Sequence, residues 1–201
     1  MEKKCLTILV IVRIVCLMIF DPQNITNFNR TDRELQILWL FGILVAGKNS
    51  KIAVNALERL LEHCGDQLPF DYLKSIGNDL KAHIINTRCG QYNRIYNAII
   101  TSLGLDLRQA SLETLLGVNG VGNKSARMFL VHSRPDQKVC VLDVHLLRHM
   151  REDLNIPTPK NTPSPKVYLE LEKRLLDIIE KSGKSFAEYD IEVWRKYSNK
   201  S

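Results

Sequence analysis

From residue 31 onward, hydrophobic and polar residues alternate with the period of an α-helix. Residues 31–34 read TDRE, a capping box in which the threonine side chain accepts a backbone N–H and the glutamate reaches back. This box opens the apolar segment LQILWLFGILVA, which ends at Gly47. A second helix begins at Ser50 and ends at Gly65. Its predicted apolar stripe comprises Ile52, Val54, Leu57, Leu60 and Leu61.

Further helices are predicted where an apolar period lies between an N-cap residue and a glycine or proline. Their predicted ranges are 70–75, 79–87, 93–102, 112–116, 124–133, 144–153, 166–181 and 186–194. Asp143 can cap one of them, and the β-branched stretch 139–142 before it can be extended. The segment NIPTPKNTPSP holds four of the seven prolines and marks a connector. No period-two strand of useful length appears, so the predicted class is all-α.

The composition is that of a globular protein, because 45% of the 201 residues are hydrophobic and 25% are charged. Lys and Arg number 28 against 22 acidic residues, which gives a net charge of +6 and favours an anionic partner such as nucleic acid. The five cysteines show no CxxC spacing, so neither a disulfide framework nor a zinc site is indicated. We interpret them as reduced thiols of an intracellular protein.

The N-terminal segment resembles the front of a secretory signal, because Lys3 and Lys4 precede the apolar run 5–20. Arg13 interrupts the run, no small-x-small cleavage site follows, and the run is shorter than the ~20 residues that span a bilayer. Three alternatives stay open for residues 1–17: an apolar tail before a start at Met18, a packed N-terminal segment, or a true signal or anchor.

The stretch LETLLGVNGVGNKSARMFLV predicts a helix, a glycine-bearing hairpin and a second helix. Glycines can adopt positive φ and let another backbone approach, and unpaired N–H groups at the second helix start suit a phosphate. Such an element holds a DNA backbone without reading its sequence. The residues expected at that backbone are Gly117, Val118, Gly120, Gly122, Asn123 and Ser125. The alternative is a plain αα-corner whose glycines only turn the chain.

Residues 111–150 resemble the helix-hairpin-helix, glycine/proline-rich loop, aspartate (HhH-GPD) superfamily of DNA base-excision glycosylases, which includes endonuclease III and the 8-oxoguanine glycosylases. In its lyase-competent members, a lysine follows the second hairpin glycine by two positions and an aspartate ends a short apolar stretch. Lys124 and Asp143 match these two positions, in NGVGNK and VCVLDVHLLRHM. The segments LFGILVAGKNSKIAVNALERLL, CGQYNRIYNAI and, more weakly, YDIEVW extend the resemblance beyond this core.

The resemblance implies a fold of two lobes with the active site in the cleft between them. A helical barrel is expected over residues 28–137, with the helix-hairpin-helix at 111–133, and a second lobe over 18–27 plus 138–201. There is no cysteine beyond Cys140, so the C-terminal iron–sulfur cluster of endonuclease III is absent. Asn119 replaces the hairpin proline common in relatives. Relatives also suggest a monovalent cation on the hairpin carbonyls, and no other cofactor.

The chemistry of the family gives Lys124 and Asp143 their implied roles. A neutral Lys124 attacks C1′ of a nucleotide rotated out of the duplex, displaces the base and forms a Schiff base, after which β-elimination nicks the strand. An ionised Asp143 stabilises the cationic sugar and helps to activate the amine. The alternative for Asp143 is an ordinary N-cap, and one carboxylate can do both. His145 is interpreted as structural or backbone-contacting.

Further pocket residues follow from the same resemblance. Lys48 and Asn49 lie on the loop that fills the gap left by the flipped base, or else on a solvated loop. Asp190 and Trp194, one helical turn apart, resemble a base-pocket pair, or else a core tryptophan beside a surface aspartate. The remaining candidates for this pocket are Gln91 and Tyr92.

The predicted function is therefore a bifunctional DNA glycosylase/AP lyase of base excision repair. Its expected partner is double-stranded DNA that contains damaged or abasic sites, with an oxidised purine such as 8-oxoguanine as the first substrate and an oxidised pyrimidine as the second. We expect an intracellular, DNA-associated monomer with no membrane association. The alternative is a non-catalytic helix-hairpin-helix module that binds DNA and cuts nothing; such a module needs neither Lys124 nor Asp143.

Overall fold

A computed structural model of the chain describes residues 25–198. The interpretations offered for residues 1–17, and the part of the second lobe assigned to 18–24 and 199–201, lie outside the described residues. Between residues 25 and 198 every regular element is helical, which confirms the predicted all-α class. The helices are α1 Asp32–Val45, α2 Ser50–Leu60, α3 Pro69–Ile76, a 3-10 turn Gly77–Asp79, α4 Leu80–Asn86, α5 Tyr92–Ser102, α6 Leu112–Leu116, α7 Asn123–Ser133, α8 Val144–Glu152, α9 Pro165–Ser182 and α10 Phe186–Ser198.

The predicted capping signals set the starts of three helices. At α1, Glu34 N donates to Thr31 Oγ1 at 3.3 Å and Thr31 N donates to Glu34 Oε2 at 2.7 Å, which completes the capping box. The same pair of bonds joins Ser185 and Glu188 before α10. Asp143 caps α8. Local sequence therefore fixes where these helices begin.

The apolar stripe predicted for α2 is wrong at Ile52, whose side chain is 51% exposed. The buried residues of this helix are Ala53, Ala56, Leu57 and Leu60. Helix α2 packs on α1, and the small side chains of the two alanines are fully buried. Because the contact turns this alanine-bearing face inward, Ile52 points to solvent.

Contacts between Cα atoms divide the described chain into two compact units. The first contains Ile25 and Asn29–Val121, hence α1–α6; the second contains Thr26–Phe28 and residues 122–198, hence α7–α10. The division falls inside the helix-hairpin-helix. The lobe boundary expected at residue 137 stays a prediction.

Helix α1 is the centre of the first unit, where α2, α3 and α5 pack around it. Nine of its residues, Leu35, Ile37, Leu38, Trp39, Leu40, Phe41, Gly42, Ile43 and Leu44, are buried. Trp39 Nε1 donates to Ser102 Oγ on α5 at 2.8 Å, so the buried indole N–H has a hydrogen-bond partner in the core. Helix α1 is apolar on all its faces because other helices pack against several of them.

Helix α10 organises the second unit, since it contacts α7, α8 and α9. Asp153, just after α8, accepts hydrogen bonds from Lys196 Nζ at 2.7 Å and Tyr197 Oη at 2.8 Å, both on α10. His149 Nδ1 lies 2.5 Å from the same carboxylate oxygen, and its Nε2 lies 2.8 Å from Tyr189 Oη. Across the described part of the chain, no helix has the length and apolar character needed to span a bilayer.

Candidate active site

The hairpin that leads to Lys124 is braced from within the first unit. Gly120 adopts φ +91°, and a Cβ there would lie 2.8 Å from the carbonyl oxygen of Arg94. The Arg94 guanidinium donates to Gly120 O at 3.0 Å and to Ile43 O at 2.8 Å. Glycine is therefore required at position 120 both by the backbone conformation and by the close approach of α5.

The two hairpin glycines differ in what surrounds them. Gly122 is the N-cap of α7 with φ −106°, a conformation open to any residue, and a Cβ there would meet nothing within 4 Å. No side chain of residues 25–198 caps the start of α7. A helix start that lacks a side-chain cap and faces open space suits an anion, because its first amides need acceptors and the helix dipole adds positive potential.

Lys124 is the second residue of α7 and is half-buried. Within residues 25–198 its ammonium group makes no hydrogen bond or ion pair. Its neighbour Asn123 is held in place, because Asn123 Oδ1 accepts a hydrogen bond from Arg127 Nη1 at 2.7 Å. The amine is thus carried by an anchored helical turn and is available to a ligand.

Asp143 uses one carboxylate oxygen to cap α8. Oδ1 accepts from His145 N and from Leu146 N, each at 2.9 Å. Oδ2 accepts no hydrogen bond from any residue that the structure describes. The side chain can therefore serve as an N-cap and still direct one charged oxygen elsewhere, as the sequence suggested.

Lys124 and Asp143 lie in the second unit with a second carboxylate, Asp190 on α10, whose side chain is 19% exposed. Burial raises the pKa of Asp190, the charge of Asp143 raises it further, and His132 and Lys124 act in the opposite direction. His132 Nε2 lies 3.7 Å from Asp190 Oδ2, and Thr26 Oγ1 lies 3.1 Å from His132 Nδ1. Asp190 therefore interacts electrostatically with both Lys124 and Asp143.

The other residues of this unit that were predicted at the catalytic, DNA-backbone or base-binding site differ in their position and burial. Trp194 follows Asp190 by one helical turn and is partly buried, and His145 is half-buried beside the cap. Ser125 is buried on α7. A cavity of about 250 Å³ in the same unit, lined by Phe28, Val131, Phe186 and others, contains none of the predicted site residues.

Four of the predicted pocket residues, Lys48, Asn49, Gln91 and Tyr92, lie in the first unit. Gln91 has φ +53°, and its Oε1 accepts from Arg94 Nε at 2.6 Å; the Cβ of an alanine at Gly47 would lie 3.4 Å from its Nε2. Lys48 Nζ donates to Leu44 O at 3.3 Å, and burial together with the charge of Arg94 lowers its pKa.

The last two residues of this group mark helix starts. Asn49 caps α2 by accepting from Lys51 N at 2.8 Å, and Tyr92 opens α5. Because a Cβ at Gly47 would lie 3.4 Å from Gln91 Nε2, the loop at 47–49 and the start of α5 lie side by side in the first unit.

Two carbonyls of the hairpin already accept hydrogen bonds, Val118 O from Val121 N and Gly120 O from Arg94. A monovalent cation at this hairpin stays a prediction. Among residues 25–198, no group of three or more His, Cys, Asp and Glu side chains could hold a metal ion.

An ion pair that the sequence analysis did not identify joins α7 to α9. Arg127 donates through Nε and Nη2 to Glu172 Oε1 and Oε2 at 2.7 and 2.8 Å, and both side chains are buried. Burial alone would lower the pKa of Arg127, but the hydrogen bonds and charge of Glu172 raise it above its usual value. The sequence did contain a signal for this ion pair: an arginine inside the apolar run ARMFLV and a glutamate inside the apolar stripe of α9. Both positions are expected to be buried, and a buried charge needs a partner of opposite charge.

The helical fold, the glycine hairpin before α7 and the aspartate N-cap of α8 are features expected of a helix-hairpin-helix DNA glycosylase. The family model for 8-oxoguanine DNA glycosylase matches residues 23–184. The chain therefore belongs to the 8-oxoguanine DNA glycosylase family, which confirms the superfamily indicated by the motifs.

Individual relatives agree with this family. The 8-oxoguanine DNA glycosylase/AP lyase of Methanocaldococcus jannaschii is 35% identical over 77 residues, which are 38% of this chain and 37% of that protein. A crystal structure of the M. jannaschii glycosylase/lyase with 15mer DNA containing 8-oxoguanine has a TM-score of 0.62 at 22% identity, covering 94% of this chain and 90% of the other. The 8-oxoguanine DNA glycosylase of Thermotoga maritima gives 0.63 at 21% identity, covering 97% and 94%. These structural matches show a shared fold.

Proposed function

We propose that this protein is a bifunctional DNA glycosylase/AP lyase that removes an oxidised base, with Lys124 as the nucleophile and Asp143 as the stabilising carboxylate. The observation that carries the proposal lies in the second unit: Lys124 stands in the first turn of α7, its amine has no hydrogen-bond or ion-pair partner among residues 25–198, and both it and the N-cap Asp143 interact electrostatically with Asp190. Family membership supports the reaction class, and no cofactor is needed because the side chain of Lys124 supplies the nucleophile.

The reaction follows from the groups present. The lone pair of Lys124 Nζ forms a bond to C1′ of the damaged nucleotide, and the N-glycosidic bond breaks with its electrons leaving on the base. Positive charge that develops on the sugar is stabilised by the open Oδ2 of Asp143. The attached amine then loses a proton, and the C1′–O4′ bond breaks as O4′ takes up a proton, which leaves C1′ doubly bonded to Lys124 Nζ as a protonated Schiff base. Loss of the proton at C2′ then breaks the C3′–O3′ bond, and the 3′ phosphate leaves by β-elimination.

The hairpin is the proposed grip on the DNA backbone. The amides at the start of α7 and the open space at Gly122 would receive a phosphate, with Gly117, Val118, Gly120, Asn123 and Ser125 around it. Asp190 and Trp194 are proposed to contact the extruded base by hydrogen bonding and stacking, because Asp190 interacts electrostatically with both reacting groups and Trp194 follows it by one helical turn on α10. Lys48, Asn49, Gln91 and Tyr92 are proposed for the gap left by that base.

The substrate proposed first is 8-oxoguanine, since the relatives named above act on it. Oxidised pyrimidine is the second candidate. The protein is proposed to act as a monomer in the compartment that holds the cell's DNA.

The test is borohydride trapping on duplexes that carry 8-oxoguanine, thymine glycol or an abasic site. Wild type should give a covalent adduct and a nick on the 8-oxoguanine and abasic duplexes, and Lys124→Ala should give neither while it still binds DNA in a salt-dependent manner. Lys166→Ala is the matched control, because Lys166 is likewise the second residue of a helix. Binding without any adduct from folded wild type would favour the non-catalytic DNA-binding module instead.

A further inference from the structure

The segment 139–142 has no regular secondary structure, and the described part of its unit contains no strand that could pair with it. Cys140 and Leu142 are fully buried, so their backbone groups cannot bond to water. Two side chains of α9 bond to them instead. Glu172 Oε1 accepts from Cys140 N at 2.7 Å, and Tyr168 Oη donates to Cys140 O at 2.7 Å and accepts from Leu142 N at 2.9 Å. Helix α9 thus supplies the bonds that a neighbouring strand would make.

The same side chains also hold the helix that carries the nucleophile. Glu172 binds Arg127, and Arg127 holds Asn123, the residue directly before Lys124. The guanidinium of Arg127 lies 4.7 Å from the ring centroid of Tyr168. One buried cluster therefore connects the first turn of α7 to the backbone that leads into Asp143.

We propose that Tyr168 and Glu172 are positioning residues for the reaction of Lys124 and Asp143. They fix the backbone at Cys140 and Leu142, and this backbone sets where the carboxylate of Asp143 stands relative to the amine. The inference rests on the proposed function, because it concerns the same chemical step. A displacement of ~1 Å between reacting groups can lower a rate by on the order of 100-fold.

Tyr168→Phe is the direct test, because it keeps the ring over Arg127 and removes only the hydroxyl. Single-turnover base release should fall by on the order of 10-fold or more at a temperature where circular dichroism shows the variant folded. The Kd for an abasic duplex should stay within about two-fold, because the hairpin is unchanged. A folded Tyr168→Phe variant with the wild-type rate would overturn the proposal.

A double-mutant cycle separates positioning from general destabilisation. If the hydroxyl acts through Asp143, adding Tyr168→Phe to Asp143→Asn should change the remaining rate by less than about two-fold. An equal loss in both backgrounds would overturn the proposal. Ser102→Ala, which removes the buried bond to Trp39 in the first unit, controls for lost stability and should leave the rate unchanged.

Two further arms complete the design. If Tyr168→Phe does not fold, Glu172→Gln is measured with Asp143 intact, because Glu172 also holds α7 through Arg127. Its base release should fall by on the order of 10-fold, and a folded Glu172→Gln variant with the wild-type rate would overturn the proposal. Wild type without a Lys124-dependent adduct refutes the proposed function, and this inference falls with it. Wild type with an adduct, together with a folded and fully active Tyr168→Phe, refutes the inference alone.

Discussion

Replacing Gly120 or Gly122 of the hairpin by alanine should have different effects on the free energy of unfolding, and the structure gives the magnitude of each. At Gly120 an alanine would adopt φ +91°, at a cost of about 1–2 kcal/mol for an L-residue in this region. Its Cβ would also lie 2.8 Å from Arg94 O, and such overpacking costs about 1–3 kcal/mol. Gly120→Ala should therefore destabilise the protein by about 2–5 kcal/mol.

Gly122→Ala is the matched control, because φ is −106° there and the added Cβ meets nothing within 4 Å. The free energy of unfolding should change by no more than about 0.5 kcal/mol. If Gly122 faces a phosphate as proposed, the same variant should raise the Kd for an abasic duplex.

The assay is thermal unfolding followed by circular dichroism, with duplex binding by fluorescence anisotropy. Gly120→Ala should lower Tm by about 4–20 °C, and Gly122→Ala should leave Tm unchanged. Equal loss of Tm in the two variants would refute the reasoning, because it would mean that the backbone conformation and the contact with α5 do not distinguish these glycines.

Three further predictions follow. Asp143→Asn keeps an oxygen for the cap, so the free energy of unfolding should change by less than about 1 kcal/mol, while single-turnover base release should fall by on the order of 100-fold; an unchanged rate would contradict the assigned role. Arg127→Met leaves Glu172 buried without its partner and should cost about 3–5 kcal/mol in urea unfolding. Adding Glu172→Gln, which retains an acceptor, should recover most of that loss, and no recovery would argue against the ion pair. Hydrogen bonds, above all the one from Lys196, hold the pKa of Asp153 below its usual value. The ionised carboxylate therefore stabilises the fold at pH values above its pKa in the unfolded chain, ~3.9. This stabilisation is lost as the pH falls through the lower pKa of the folded protein. Asp153→Asn should therefore cost about 1–2 kcal/mol at pH 7, and the gap to wild type, measured by denaturation across pH, should narrow below pH ~4; a constant gap would contradict the cause.

Features of the fold that depend on a few neighbouring residues could be predicted from the sequence. The TDRE box and Ser185 fix the starts of α1 and α10, because a cap involves only residues three positions apart. The end of α10 could not be predicted in this way. It was expected at residue 194 and lies at Ser198, and Tyr197 in its last turn bonds to Asp153 from another helix.

The orientation of α2 illustrates the same limit. A periodic pattern gives the number of apolar positions but not which neighbour they meet, and Ile52 was placed inside by its spacing alone. Only the packing on α1 shows that Ala53 is the buried residue and Ile52 the exposed one.

In the candidate site, the motif named Lys124 and Asp143 because their surroundings are encoded within a few residues of each. Their partners could not be found in that way. Arg127 and Glu172 are 45 positions apart; Arg127 lies in the helix-hairpin-helix without a role in its pattern, and Glu172 lies in no motif of the sequence. His132, which lies beside Asp190, appeared in the sequence only as part of a helical run.

The hydroxyl of Tyr168 has a consequence for the length of the segment it supports. A phenol offers one proton and accepts into one oxygen, so it can satisfy one carbonyl and one amide of the adjacent chain. Lengthening the stretch before Asp143 by a pair of residues would add backbone groups that no side chain of α9 reaches, in a place from which water is excluded. The distance in sequence from Cys140 to Asp143 is thus limited by the bonding capacity of a single side chain.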